Sequence, residues 1–281
     1  MSGAQAVDFR GMPAMAWSSA DGARAIATLQ GAHLVSWTLP GGEERLFLSE
    51  RSAFVPGRAV RGGVPVIFPQ FADRGPLAQH GFARTQPWRF AGVGETPTGC
   101  AASFVLEATQ ETAAIWPHRF RLELVAAIGG ARLEMELRVS NGGAGDFAFT
   151  AALHTYLRVS DAFAVRLEGL QGVRYLTRGA SAAALEERKF VTAAEPVDRT
   201  YFAPPGLLYL ADGARRLRLV QRGFTDTVVW NPGRDTASRM ADMAPDGFRR
   251  MLCVEAAAIE PAVVLHAGGE WSGTQVIEAL A

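Results

Sequence analysis

Cysteine is scarce: Cys100 and Cys253 are the only two in 281 residues, and they are too far apart for a disulfide framework, a Cys-x-x-Cys pair or a zinc ribbon. Two buried thiols in a reducing compartment are expected. Net charge is missing as well, because 28 basic residues balance 28 acidic ones. That balance removes long-range attraction to nucleic acid or to an anionic membrane and leaves a small molecule as the expected partner. Lysine is nearly absent, Lys189 standing alone among the basic residues. Arginine is therefore common here, and a single arginine says little about phosphate binding. No run of about 18 apolar residues occurs, and the opening MSGAQAVDFRGMPAMAWSS lacks a basic stretch followed by an apolar one, so a cytoplasmic protein is expected.

The usual marks of several chemistries are also wanting. Gly92-Val93-Gly94 has neither the third glycine nor the following helix of a dinucleotide fingerprint, and there is no P-loop and no Gly-x-Ser-x-Gly elbow. The five histidines, His33, His80, His118, His154 and His266, never form His-x-His or His-Glu-x-x-His. No catalytic metal and no coenzyme are expected.

What the chain does have is alternation. Leu133, Met135, Leu137 and Val139 interleave with Glu134, Glu136 and Arg138, and Phe120, Leu122 and Leu124 interleave with Arg119, Arg121 and Glu123. Both stretches read as half-buried strands, joined through Gly129-Gly130. A second hairpin turns at Asp212-Gly213, and an early one is predicted to join RAIATLQGAHLVSWTL to RLFLS across Pro40-Gly41-Gly42. TDTVVW, MLCVEAAAI and AVVLHAGGEW add further strands. Helical periodicity extends no further than a short piece such as SAAALEERKF, so the fold class is all-β. No linker divides the chain, and residues 1–281 are expected to form one domain.

Residues 60–90 break the pattern with prolines, glycines and no clean alternation. Long irregular segments are usually functional or disordered, and the embedded Phe68, Phe71, Phe82, Trp88 and Phe90 argue for order. Arg61, before Gly62-Gly63, and Arg84, in HGFAR, lie here; each either meets a ligand, the glycines letting backbone approach it, or braces the loop. His154 shares a strand face with Thr150, Ala152 and Tyr156, opposite Phe149, Ala151 and Leu153, and reads either as a structural histidine or as an acid–base group. Glu255 sits in the almost wholly apolar MLCVEAAAI, where a carboxylate must reach a pocket or pair with a cation.

GAHLVSW, LFLS, RGGVPVIFPQF, QHGFAR with PWRF, IWPHRFRLEL, LHTYLRV, VDRTY, VVWNP and MADMAPDGFRRMLCVEAA occur in this order between about Gly31 and Ala257. In them the chain resembles the glucose-6-phosphate 1-epimerase branch of the aldose 1-epimerase, or galactose mutarotase, superfamily. The resemblance implies a single-domain antiparallel β-supersandwich with a sugar groove. It implies His154 and Glu255 as the catalytic residues and Arg61, Gln79, Arg84 and Asp198 as substrate-binding residues, with His80 beside them. The expected reaction is anomer exchange of a hexose 6-phosphate, probed by two proton-transfer groups on opposite sides of the hemiacetal. Glu255 would be the base at the C1 hydroxyl and His154 the acid at the ring oxygen. A monomer is expected.

Three other readings stay open at this point: an epimerase of an unphosphorylated hexose such as galactose, a non-catalytic sugar-binding sandwich, and a glycosidase-like pairing of Glu255 with Asp198. After VVWNP the chain departs from the family pattern at Gly233-Arg234-Asp235, which leaves one wall of the groove open.

Overall fold

A computed structural model describes residues 3–280. Its strands form three antiparallel sheets. Gly3–Phe9, Met12–Ser18, Arg24–Thr28 and His33–Thr38 make a four-stranded meander. A nine-stranded sheet runs in the order Phe190–Val191, Arg166–Glu168, Leu207–Asp212, Arg215–Arg222, Glu270–Leu280, Arg132–Asn141, Phe120–Gly129, Gly99–Glu107, Arg89–Thr96. An eight-stranded sheet runs Ala184–Leu185, Arg174–Thr177, Val197–Phe202, Asp226–Asn231, Met251–Leu265, Phe147–Leu153, Val66–Ile67, with Tyr156–Arg158 also paired to Met251–Leu265.

Alternation decides which side chains lie between the sheets. Leu133, Met135, Leu137 and Val139 from the nine-stranded sheet share one buried cluster with Leu252, Val254, Ala256 and Ala258 from the eight-stranded one and with Trp17 and Trp37 from the meander. Buried apolar area of this kind supplies the main stabilisation, at roughly 25 cal/mol per Å². The period of two then forces Cys253, Glu255 and Ala257 to the opposite face of their strand. That outer face carries the site.

The hairpins expected at Gly129-Gly130 and at Asp212-Gly213 form in register. The early hairpin forms differently. Arg24–Thr28 pairs with His33–Thr38 through residues 29–32. The chain does turn back across Pro40-Gly41-Gly42, with Thr38 bridged to Glu44 and the Arg45 N–H donating to the Trp37 carbonyl at 3.0 Å. Beyond Arg45, however, RLFLS leaves that pairing for isolated bridges from Leu46 to Leu157 and from Leu48 to Gly62. Its backbone groups are thus divided among several partners. SAAALEERKF is extended, not helical: Glu186 is 2% exposed and binds Arg188, Arg199 and the Tyr201 hydroxyl, and these tertiary contacts outweigh local helix propensity.

Residues 60–90 are ordered by aromatic packing. The Phe68 ring lies against Phe82, Trp116, Phe120 and Phe149 with centroids 5.2–6.4 Å apart, contacts worth about 0.5–1.5 kcal/mol each beyond area burial. Buried Gln70 closes the following loop on itself, its amide donating to the Ala72 and Leu77 carbonyls while its oxygen accepts from the Leu77 N–H. Phe71 N–H donates to the Thr150 hydroxyl at 2.7 Å, tying the loop to the sheet.

The two glycines after Arg61 serve the fold and not a ligand. Gly62 and Gly63 have φ of 115° and 62°, and a Cβ on either would come within 2.4 Å of the Phe47 or Leu34 carbonyl oxygen. Close backbone packing at this point fixes where Arg61 leaves the chain. Buried His33 reinforces it, its Nε2 hydrogen-bonded to the Gly62 carbonyl at 2.7 Å.

Candidate active site

Cross-strand register assembles the floor of a cleft of about 540 Å³ on the outer face of the eight-stranded sheet. One row places Asp198 beside Trp230 and continues beneath the lining to Cys253 and Tyr156, which are buried and do not reach the cleft; the next row places Thr200 beside Val228 and Val228 beside Glu255. His154 follows the end of Phe147–Leu153, where its N–H donates to the Pro65 carbonyl at 3.0 Å. The predicted face of Thr150, Ala152, His154 and Tyr156 is therefore the cleft side.

His154 and Glu255, a hundred residues apart in sequence, meet here: His154 Nδ1 lies 3.3 Å from Glu255 Oε1. They stand side by side, not on opposite sides of a sugar. Glu255 is 1% and His154 7% exposed, and neither Nδ1 nor Glu255 Oε2 has a hydrogen-bond partner in the protein. Orphaned polar atoms in so buried a place are costly unless a ligand meets them. The His154 ring stacks face to face on Tyr156 at 4.8 Å, with Trp230 and His80 edge-on, so its orientation is fixed.

The surroundings push the two groups apart electrostatically. Burial, aided by the charge of Asp198, raises Glu255 well above the ordinary carboxylate range. Burial, then His80, Arg61 and Arg84, depresses His154 well below an ordinary imidazole. Both shifts favour the uncharged form, a protonated carboxyl beside a neutral imidazole.

Arg61 donates from Nε to Asp242 at 3.1 Å and from a terminal nitrogen to the Tyr156 hydroxyl at 3.0 Å, and its guanidinium lies over Trp230. Burial alone would weaken its charge, but Tyr156 and Asp242 outweigh it and hold the arginine firmly protonated. Arg84 donates to the Gln79 carbonyl at 2.9 Å and is not among the cleft-lining side chains, although it feels the charge of Arg61. Gln79 and His80 line the cleft. His80 Nδ1 accepts from the Ala72 N–H at 3.2 Å, which leaves Nε2–H as the donor. Burial, with Arg84, Arg178 and Arg61, pushes its pKa down to about 3, so it stays neutral. Asp198 also lines the cleft, its carboxyl raised by burial against the opposing pull of Arg178 and Arg74.

Sequence reasoning missed Tyr156, Asp242, Trp230, Arg74 and Arg178 as parts of this site. Tyr156 carried a signal, through the strand face it shares with His154, and so did Trp230, as an aromatic on a strand beside the departure at Gly233-Arg234-Asp235. That departure forms the short helix Gly233–Ser238, and Thr236 and Met240 from it and its exit make a wall of the cleft.

Residues 14–278 match the aldose 1-epimerase family. The chain belongs to the aldose 1-epimerase family. Within it, the protein is similar to one from Cenchrus ciliaris named "Putative glucose-6-phosphate 1-epimerase", 36% identical over 90% of this chain and 80% of that one. A relative of the same name from Escherichia coli K12 is 38% identical over 83% of this chain and 79% of its own. Among solved structures of this fold, "a putative mutarotase" from Salmonella typhimurium superposes with a TM-score of 0.87 at 30% identity, over 99% of this chain and 93% of that one. A galactose mutarotase-like protein from Clostridium acetobutylicum shares the fold, with a TM-score of 0.79 at 14% identity over 99% and 98% of the two chains. The all-β architecture expected of an aldose 1-epimerase is thus the one observed. No helix among the described residues is long and apolar enough to cross a membrane.

Proposed function

We propose that this member of the aldose 1-epimerase family interconverts the α and β anomers of a hexose 6-phosphate, glucose 6-phosphate above all, with residues 1–281 acting as one unit. The observation that carries the reading is the buried His154–Glu255 pair with two unmatched polar atoms on the floor of a sugar-sized cleft. The names of the relatives supply the substrate class.

A hemiacetal presents its C1 hydroxyl and ring oxygen on one carbon, so a side-by-side acid and base can serve both. Burial leaves the pair's shared proton on Glu255 at rest. A phosphate dianion docking near Arg61 and Arg84 offsets the positive field that depresses His154, and the proton crosses to Nδ1. Glu255 then takes the C1 hydroxyl proton while the imidazolium protonates the ring oxygen. The C1–O5 bond breaks, the aldehyde turns about C1–C2, and reclosure returns both protons. Arg61 keeps its planar fork at the cleft, with Arg84 behind the wall and Arg74 and Arg178 on the lining, which suits a dianion. Gln79, neutral His80 and Asp198 supply hydroxyl contacts.

Exchange NMR tests the reaction directly. Catalytic amounts of protein should speed anomer exchange of glucose 6-phosphate far more than that of glucose or galactose. Equal acceleration of all three removes the phosphate from the reading, and sugar binding with no acceleration removes catalysis.

The shifted pair also sets the pH response. The working state contains one proton on the pair, lost above the raised Glu255 pKa and doubled below the depressed His154 pKa. The profile of kcat/KM, which reports the free enzyme, should therefore reach its limits outside the ordinary values of the two groups once the ionisation of the sugar phosphate, at about pH 6, is divided out. A step at the ordinary imidazole pKa of about 6.5 counts against the assignment.

A further inference from the structure

We propose that the cleft floor is also a binding site for a thiophilic divalent cation, Zn2+ above all. His154, Cys253 and Glu255 would hold the ion, a fourth position would stay open to the cleft, and the bound ion would exclude the sugar.

The three side chains come from two adjacent elements. Cys253 and Glu255 are two residues apart on one strand and therefore share a face, and Cys253 is paired in register with Tyr156, next but one to His154. Their ligand atoms all lie within 4.8 Å of one another. Zn2+ takes nitrogen and oxygen ligands at about 2.0–2.1 Å and sulfur at about 2.3 Å in tetrahedral sites, which puts a nitrogen and an oxygen ligand about 3.3 Å apart and a sulfur about 3.6 Å from either. His154 Nδ1 and Glu255 Oε1 are already 3.3 Å apart. The sulfur has about 1 Å to close at most.

Charge and hydrogen bonding agree with the distances. A thiolate, a carboxylate and a neutral imidazole balance a dication, so the loaded site carries no net charge into a buried place. His154 Nδ1 and Glu255 Oε2 are both buried without a partner, Glu255 at 1% and the His154 side chain at 9% exposure. A thiol and a carboxyl each give up a proton to solvent when they become ligands, so binding tightens as pH rises. Since His154 and Glu255 are the groups the sugar needs, ion and sugar compete.

The competition rests on the proposed epimerase reaction; the binding does not, and the experiment separates them. Zn2+ is titrated calorimetrically into the purified protein, and Co2+ serves as a chromophore whose thiolate-to-metal absorption reports Cys253. Exchange of glucose 6-phosphate is followed in parallel. The wild type should take up one Zn2+, show the thiolate band with Co2+, and be inhibited competitively, while Mg2+ and Ca2+ at the same concentration leave the rate unchanged. Cys253→Ala and Cys253→Ser, two small replacements used together in case one packs poorly, should keep the metal-free rate. Both should weaken Zn2+ inhibition at least tenfold and abolish the cobalt–thiolate band. Absence of saturable Zn2+ binding to the wild type overturns the site, and so does equal inhibition of the wild type and a folded Cys253 variant. Saturable, Cys253-dependent binding without any epimerase activity upholds the site and sinks the reaction.

Discussion

Glu255→Gln is expected to stop anomer exchange while making the protein more resistant to heat as the pH rises. The amide fills the same space as the neutral carboxyl but cannot accept the C1 hydroxyl proton, and loss of a positioned acid–base group typically costs about 10²–10⁴-fold. The stability gain follows from linkage. Glu255 is held protonated in the folded protein and ionises above the ordinary value of 4.5 in the unfolded chain. Between those two pKa values the folded state binds the extra proton, so wild-type stability falls as pH rises, by at most about 1.4 kcal/mol per pH unit for one group. Glutamine has no such slope. The difference in Tm between variant and wild type should thus be smallest near pH 4 and widen as the pH rises above 4.5 toward the raised folded-state pKa, at roughly 2–4 °C per kcal/mol. Full exchange in the variant, or a Tm difference that ignores pH, would falsify the assignment of Glu255.

Arg61→Ala should cost most on phosphorylated sugar. A charge-assisted hydrogen bond is worth about 1.5–3 kcal/mol, which corresponds to about 10–150-fold in kcat/KM for glucose 6-phosphate. Residual activity on glucose should change little by comparison, because glucose offers no dianion. The ratio of the two losses is the quantity to measure. Arg61 also holds Tyr156 and Asp242, so a uniform loss on both sugars would show that it only braces the cleft. Arg61→Lys keeps the charge without the planar fork and should fall between wild type and alanine.

Much of this arrangement was legible in the residues because period-two alternation is a strong signal. Leu133 to Val139 specified their strand, and the face shared by Thr150, Ala152, His154 and Tyr156 pointed to the correct side. Glu255 stood out because a lone acid in an apolar strand needs a reason. The turn at Pro40-Gly41-Gly42 forms, but its pairing ends at Arg45, because the partner strand His33–Thr38 is already matched to Arg24–Thr28 and the rest of RLFLS shares itself among separate partners. Residues 181–190 look helical by composition but are held extended through buried Glu186. Arg74 and Arg178 could not be singled out from sequence in a chain where nearly every basic residue is arginine. Their place beside Asp198 depends on the fold of residues 70–81 and on register between strands, neither of which has a local pattern.

Gln275, 2% exposed within the layer between the two large sheets, bonds to the Thr155 hydroxyl and donates to the Val254 carbonyl at 2.9 Å. Those residues are immediate neighbours of His154 and Glu255, so the buried pair is bolted to the opposite sheet from behind. The rim, by contrast, is made of residues 70–81 and the turn-rich stretch around Gly233–Ser238. Substitution therefore has an easy and a hard direction in this molecule: the edge of the cleft can change side chains without disturbing the sheets, whereas a change at its base must be accommodated through both of them.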